Sequence, residues 1–324
     1  MIERRTEMKR NQKPGTWLRI IVLPQRLTRS IRILPILFSK PVFFPVSVIN
    51  AIWIVTMLIQ YNPQKATELY LRLTAYQIVW WLFGIAIISF FHEIGHISAL
   101  LHCGGTPGGV GLSVRFFLPR GWSELKGIDS LPADVRVYVD LGGIYFQLIV
   151  TEAVFLVNIV WLQNQVLTAI CTASVHMALI NLIPNQGSDG YWVVKDLFGI
   201  EDISANARAL FSKSKVKTEK HRQKEIMITA VLLIARNIAL IYLLILLLFV
   251  SIAAGKTLAL DLAAAYRNMV NCPVSLTYET ILQYLSRRLG CIAFLIVALQ
   301  NNISSILQMT RGKARRPSGE KNAC

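Results

Sequence analysis

The chain is short of charge. Only 16% of its 324 residues are Asp, Glu, Lys or Arg, against roughly 25% in an ordinary soluble domain. The charge it does carry is one-sided, with 34 Lys and Arg against 18 Asp and Glu. Cysteine is scarce too. Cys103, Cys171, Cys272, Cys291 and Cys324 form no CxxC pair and keep no regular spacing, which argues against a disulfide framework and against a thiolate metal site. Cys171 and Cys291 fall in apolar stretches and read as packing residues. There is no internal repeat and no low-complexity tract. Residues 1–33 hold no uninterrupted apolar core of leader length, so no cleavable signal peptide is expected.

In place of charge there are apolar residues, 54% of the chain, gathered in blocks of about 20, the length that spans hydrocarbon. Six spans are expected, at about 43–61, 77–101, 141–161, 165–184, 227–253 and 289–308. The expected fold is an all-α polytopic membrane protein with a small membrane-associated β segment. It divides into a basic arm (1–42), a first helix and loop (43–74), a core (75–200), a basic loop (201–226), C-terminal helices (227–308) and a basic tail (309–324).

The basic residues cluster in the N-terminal arm, between Arg208 and Lys224, and between Arg311 and Arg316. With six spans all three clusters fall on one side, which the positive-inside rule makes cytoplasmic. A multi-pass protein of the cell membrane with both termini in the cytoplasm is therefore expected. The short loop 62–76, with Lys65 and Arg72 as its only basic residues, fits the opposite side; Arg287 and Arg288 are misplaced in this scheme. Nucleic acid is not an expected partner, since the basic stretches flank apolar spans without interleaved aromatics; anionic lipid headgroups are. In the arm, Trp17, Ile20, Ile21, Leu27 and Ile31 alternate with Arg19, Arg26, Arg29 and Arg32, as in a basic helix on a membrane surface. Pro24 divides that helix into two pieces.

One apolar span carries residues that hydrocarbon penalises: Phe91-His92-Glu93-Ile94-Gly95-His96. Ionisable and metal-binding groups inside a span mark a functional site. On a helix, His92 and His96 lie one turn apart on one face and can share a Zn²⁺ ion. Glu93 beside them can take a proton from a zinc-bound water. A catalytic zinc needs a third protein ligand. His102 has the spacing of the third histidine in HExxHxxGxxH, but Ala99 stands where that motif needs Gly. An unbroken helix would place His102 roughly 15 Å along the axis from His92. Asp189 is the better candidate. It lies in Asn181-Leu182-Ile183-Pro184-Asn185-Gln186-Gly187-Ser188-Asp189-Gly190, a Pro/Gly-broken stretch at the end of the fourth span, where irregular backbone is tolerated if it lines a cavity.

His92-Glu93-Ile94-Gly95-His96, followed by Asn181, Pro184, Asp189 and Gly190 in the pattern NxxPxxxxDG, resembles the site-2 protease family of intramembrane zinc metalloproteases. The resemblance covers roughly residues 75–200. It implies a three-helix catalytic core, one zinc ion held by His92, His96 and Asp189, catalysis by Glu93, and a membrane-embedded or membrane-tethered peptide or protein as substrate. Gly142-Gly143-Ile144-Tyr145-Phe146-Gln147 sits where that family often has Gly-Pro-x-x-Asn. Here Ile144 stands for the Pro and Gln147 for the Asn, which leaves an oxyanion role for Gln147 open.

Asn181 is a candidate for stabilising the oxyanion; its alternative is a helix-terminal residue bonding local backbone. Between Gly108 and Trp122, Val110, Leu112, Val114 and Phe116 alternate with Gly111, Ser113 and Arg115, which is strand periodicity. Such a β edge could hold an unwound peptide, or fold as a hairpin packing the loop on the membrane. The other function class is a non-proteolytic relative acting in peptide export or immunity. An intact Glu93 argues against it, because a structural zinc site has no need of a non-ligating carboxylate.

Overall fold

Thr74 opens the helix that carries both histidines. Its hydroxyl accepts from the Gln77 amide at 3.3 Å while its own amide donates to Gln77 Oε1 at 2.9 Å, so two orphan donors of the first turn are satisfied reciprocally. The computed structural model describes residues 16–31, 34–115, 118–184 and 188–200, with a few helical positions between 227 and 237. In chain order the elements are β1 (Thr16–Leu23), α1 (Lys40–Gln60), α2 (Pro63–Leu71), α3 (Ala75–His102), β2 (Thr106–Arg115), β3 (Leu118–Lys126), α4 (Ala133–Val157), α5 (Gln165–Leu182) and α6 (Asp189–Phe198). A π-helical turn, Asn158–Leu162, extends α4.

Among the described residues, four helical segments are long and apolar enough to cross a membrane: Lys40–Gln60, Tyr76–His102, Ala133–Leu162 and Gln165–Leu182. They match the first four expected spans. The fifth lies mostly, and the sixth wholly, outside the described residues, as do the basic loop 201–226 and the tail. The third span begins earlier than expected, at Ala133 rather than near 141. Arg136 has an ion-pair partner in Asp196 at 2.7 Å, so it can sit in the helix's first turn. The outer faces of these helices stay apolar, with Phe44, Ile52 and Ile59 of α1 and Val79 and Phe83 of α3 exposed. A helix apolar on every side belongs in a core or in a membrane.

The inner faces fit closely because small residues line them. A Cβ on Gly95 of α3 would stand 2.3 Å from the Gly142 carbonyl of α4, and one on Gly142 would stand 2.7 Å from the Ala99 Cβ. Backbones can approach that far only at glycine, as at helix crossings in membranes. Around this crossing Ile94, Ile97, Leu100, Val139 and Phe146 pack with Phe38 and Phe43 into the main core.

The β segment is an antiparallel sheet of order β1-β2-β3. The alternation expected over 108–122 is carried by the β2–β3 hairpin, with Val110 opposite Ser123 and Leu112 opposite Gly121. The N-terminal arm differs from expectation. Thr16–Leu23 is a strand pairing Ile20 with Leu112, not the first piece of an amphipathic helix. The β-branched run Ile20-Ile21-Val22 suits a strand, and β2 supplies its backbone partners. Pro24 does end this piece; a single helical turn, Gln25–Thr28, follows, and Thr28 Oγ1 donates to the Gly108 carbonyl at 2.8 Å.

Candidate metal centre

The long helix α3 runs unbroken through the HExxH motif, so His92 and His96 stack one turn apart and are both buried. Their Nδ1 atoms are engaged on the far side. His92 Nδ1 lies 2.8 Å from Gln147 Oε1, and His96 Nδ1 lies 2.8 Å from the Val139 carbonyl, both on α4. The Nε2 atoms consequently turn toward each other, 3.2 Å apart. Asp189 closes the group: Oδ2 lies 2.9 Å from His92 Nε2 and Oδ1 lies 3.5 Å from His96 Nε2. One ligand atom from each of the three residues falls within 4.8 Å of the others.

Asp189 reaches this point through local structure at the end of α5. Ile183 leaves the helix in extended conformation and Pro184 prevents its continuation. Ser188 then caps α6: its hydroxyl accepts from the Tyr191 amide at 3.3 Å and donates to the Ile183 carbonyl at 2.7 Å. This sets Asp189 in the first turn of α6, where the helix dipole favours a negative charge. Gly190 permits the fold-back, since a Cβ there would lie 2.1 Å from the Leu182 carbonyl. Two turns along α6, buried Asp196 accepts from Arg136 Nη2 at 2.7 Å while Arg136 Nη1 donates to the Leu131 carbonyl at 2.7 Å. The ion pair fixes α6 to the start of α4, and with it the height of Asp189.

The donor set fits a cation. The Val139 carbonyl can only accept, so His96 Nδ1 must carry a proton, which leaves Nε2 of the neutral ring with a lone pair facing His92. Asp189 Oδ2 is buried and makes no hydrogen bond among the described residues, although His92 Nε2 is near. Burial pushes the Asp189 carboxyl up, but His96 and then His92, when protonated with no metal between them, outweigh burial and hold it well below the usual carboxylate range. A metal ion in their midst would act in the same direction. Space for it comes from Gly143, where a Cβ would stand 2.3 Å from His96 Nε2 and 2.8 Å from His92 Nε2. Gly143→Ala is therefore expected to lower metal affinity by roughly 10–100-fold, the scale of perturbations just outside a ligand shell. Helix propensity alone favours Ala by about 1 kcal/mol, so thermal unfolding of the metal-free variant should not fall on that account. Metal titration beside a melting curve checks both.

Glu93 is half-buried beside this group, and its Oε2 accepts a hydrogen bond from Ser123 Oγ of β3. The strand can come so near because residue 121 is glycine: a Cβ there would meet the Ser89 carbonyl at 2.4 Å and Glu93 Cγ at 2.5 Å. Asn181 is half-buried in the last turn of α5, and its carbonyl lies 3.0 Å from the Cβ position of Gly190. Its side chain makes no recorded hydrogen bond to a described residue. His102 ends α3 with its ring centroid 6.4 Å from that of Tyr138, outside the ligand group. His176 bonds the Thr172 carbonyl one turn back. A cavity of about 530 Å³ lies at the other end of the bundle, between Tyr61, Lys65, Arg72, Asn158 and Gln165, and touches none of the metal-group residues.

Sequence reasoning singled out His92, His96 and Asp189, which the structure brings together, but not what holds them. Gly143, Val139 and Gln147 recur every four residues on one face of α4 and all face the histidines. A polar or small residue repeating at helical spacing inside an apolar span was the available signal. Ser123 gave none, because its contact with Glu93 spans 30 residues.

The fold and site define a mostly helical protein with four candidate membrane spans among the described residues and a two-histidine, one-carboxylate group that could hold a metal. No family model matches the chain, and no solved structure matches it. Among curated proteins it is similar to the "Putative peptide zinc metalloprotease protein YydH" of Bacillus subtilis (strain 168), at 26% identity over 131 residues, 38% of this chain. The match takes in 52% of that protein, so the chain spans about half the length of the curated relative.

Proposed function

We propose that the chain is an intramembrane zinc metalloprotease of the site-2 protease type, hydrolysing a membrane-embedded or membrane-tethered peptide or protein. The observation that carries this reading is the convergence of His92, His96 and Asp189 from two distant parts of the chain, with the non-ligating Glu93 next to them. The name of the Bacillus subtilis relative points to the same metal and reaction class. His92, His96 and Asp189 would hold the zinc, which when bound would polarise a water and the scissile carbonyl. Glu93 accepts the proton of the attacking water and delivers it to the leaving amine. The Asn181 amide donates toward the oxygen on which charge develops.

The reading also accounts for the sheet. Among the described residues β3 is an edge strand, and Ser123 and Gly121 bring it against Glu93. A substrate stretch that has left its helix can add to such an edge through its backbone. The arm lies at the metal-group end of the bundle, paired to β2. By the positive-inside rule that end faces the cytoplasm. Exposed Leu18, Ile20 and Val22, with Arg26 and Arg29 nearby, suit contact with anionic headgroups.

The test is endoproteolysis of a panel of single-span peptides in proteoliposomes. Cleavage should disappear on chelation and return with stoichiometric Zn²⁺. Cleavage that survives complete metal removal contradicts the reading.

A further inference from the structure

Gln147 lies within an apolar span yet is only 1% exposed, and every polar atom of its side chain is committed. Its Nε2 donates to the Ser174 carbonyl at 2.9 Å and to Ser174 Oγ at 3.0 Å. A carbonyl can only accept, so the amide nitrogen must face Ser174 and Oε1 must face His92. Ser174 Oγ is in turn bonded to Thr151 Oγ1 at 2.7 Å, and Thr151 Oγ1 bonds the Gln147 carbonyl at 2.7 Å. The amide is thus locked from three sides by α4 and α5. Its oxygen, 2.8 Å from His92 Nδ1, requires that nitrogen to carry the proton. This leaves Nε2 of His92 as the ligating atom, directed at His96 and Asp189.

We propose that Gln147 is a positioning residue for the metal: its amide oxygen fixes the tautomer and ring orientation of His92. An oxyanion role is excluded by the same geometry, because the amide N–H groups that would donate are used on Ser174. Partners of this kind stiffen a ligand and raise its basicity, and their loss typically costs 10–100-fold in metal affinity. The inference rests on the metal-centre reading but not on proteolysis.

The experiment measures affinity for Zn²⁺ alone, by chelator competition, and the visible spectrum of the Co²⁺-loaded protein, for wild type, Gln147→Met and Gln147→Glu. Met keeps the volume and removes both the acceptor and the amide donors. Glu keeps the acceptor for His92 but cannot, as a carboxylate, donate to the Ser174 carbonyl. Gln147→Met should lose roughly 10–100-fold in affinity with an altered Co²⁺ spectrum, and Gln147→Glu should stay within a few-fold of wild type. A purely structural role predicts similar losses in the two variants, since both break the contact with Ser174. Wild-type affinity and spectrum in Gln147→Met would overturn the proposal. If Gln147→Met does not fold, Gln147→Glu decides alone: retained affinity supports the assignment, and a loss of 10-fold or more overturns it. No substrate is needed, so absent proteolysis would sink the proposed function and leave this result standing.

Discussion

Glu93→Gln is expected to leave metal content unchanged while lowering peptide hydrolysis by roughly 10²–10⁴-fold, the range general acid–base groups contribute. The geometry makes the substitution a clean one. Glu93 is not among the three residues whose ligand atoms converge, so its charge is not needed to hold the ion. Its Oε2 accepts from Ser123, and a glutamine oxygen can accept the same bond. Shape, packing and the tie to β3 survive, and only the basic oxygen is lost. Hydrolysis by zinc-loaded Glu93→Gln at the wild-type rate would remove Glu93 from the mechanism.

Asp189→Ala is expected to act one step earlier. It removes one of three ligands and leaves two imidazoles with no anion between them. Metal affinity should fall by roughly 100-fold or more, beyond the 10–100-fold typical of residues that only support a ligand. Hydrolysis at limiting zinc should fall with it. Alanine is well accepted in a first helical turn, and the Ser188 cap and the Arg136–Asp196 pair remain to hold α6. A folded protein with little metal is the predicted outcome, checked by metal analysis after gel filtration. Unchanged stoichiometry and affinity would exclude Asp189 as a ligand.

The three residues of the candidate metal group were legible because each rests on local chemistry. Two histidines four residues apart share a helix face in any α-helix. A carboxylate after a proline in a broken span end is conspicuous against apolar surroundings. His102 could be set aside on geometry, since the helix through Ala99 continues to its end. What the sequence withheld depends on partners far along the chain. Whether Thr16–Leu23 forms a strand or a helix is decided by β2 some 90 residues later, and its mixed apolar and basic pattern suits either. The target of Gln147 depends on the rotation of α4 about its axis and on α5 supplying Ser174. The third candidate span starts some eight residues before the expected one, and its polar first turn is held by Arg136 pairing with Asp196, 60 residues on.

The most direct test of the metal centre is X-ray absorption at the zinc edge, on purified protein loaded with one equivalent of Zn²⁺ and on Asp189→Ala. The account predicts a shell of nitrogen and oxygen at about 2.0–2.1 Å with the scattering pattern of two imidazoles and no sulfur at about 2.3 Å. It also predicts that the shell loses an oxygen, or the ion is lost, in the variant. A sulfur ligand, a third imidazole, or a spectrum identical in the two proteins would contradict it.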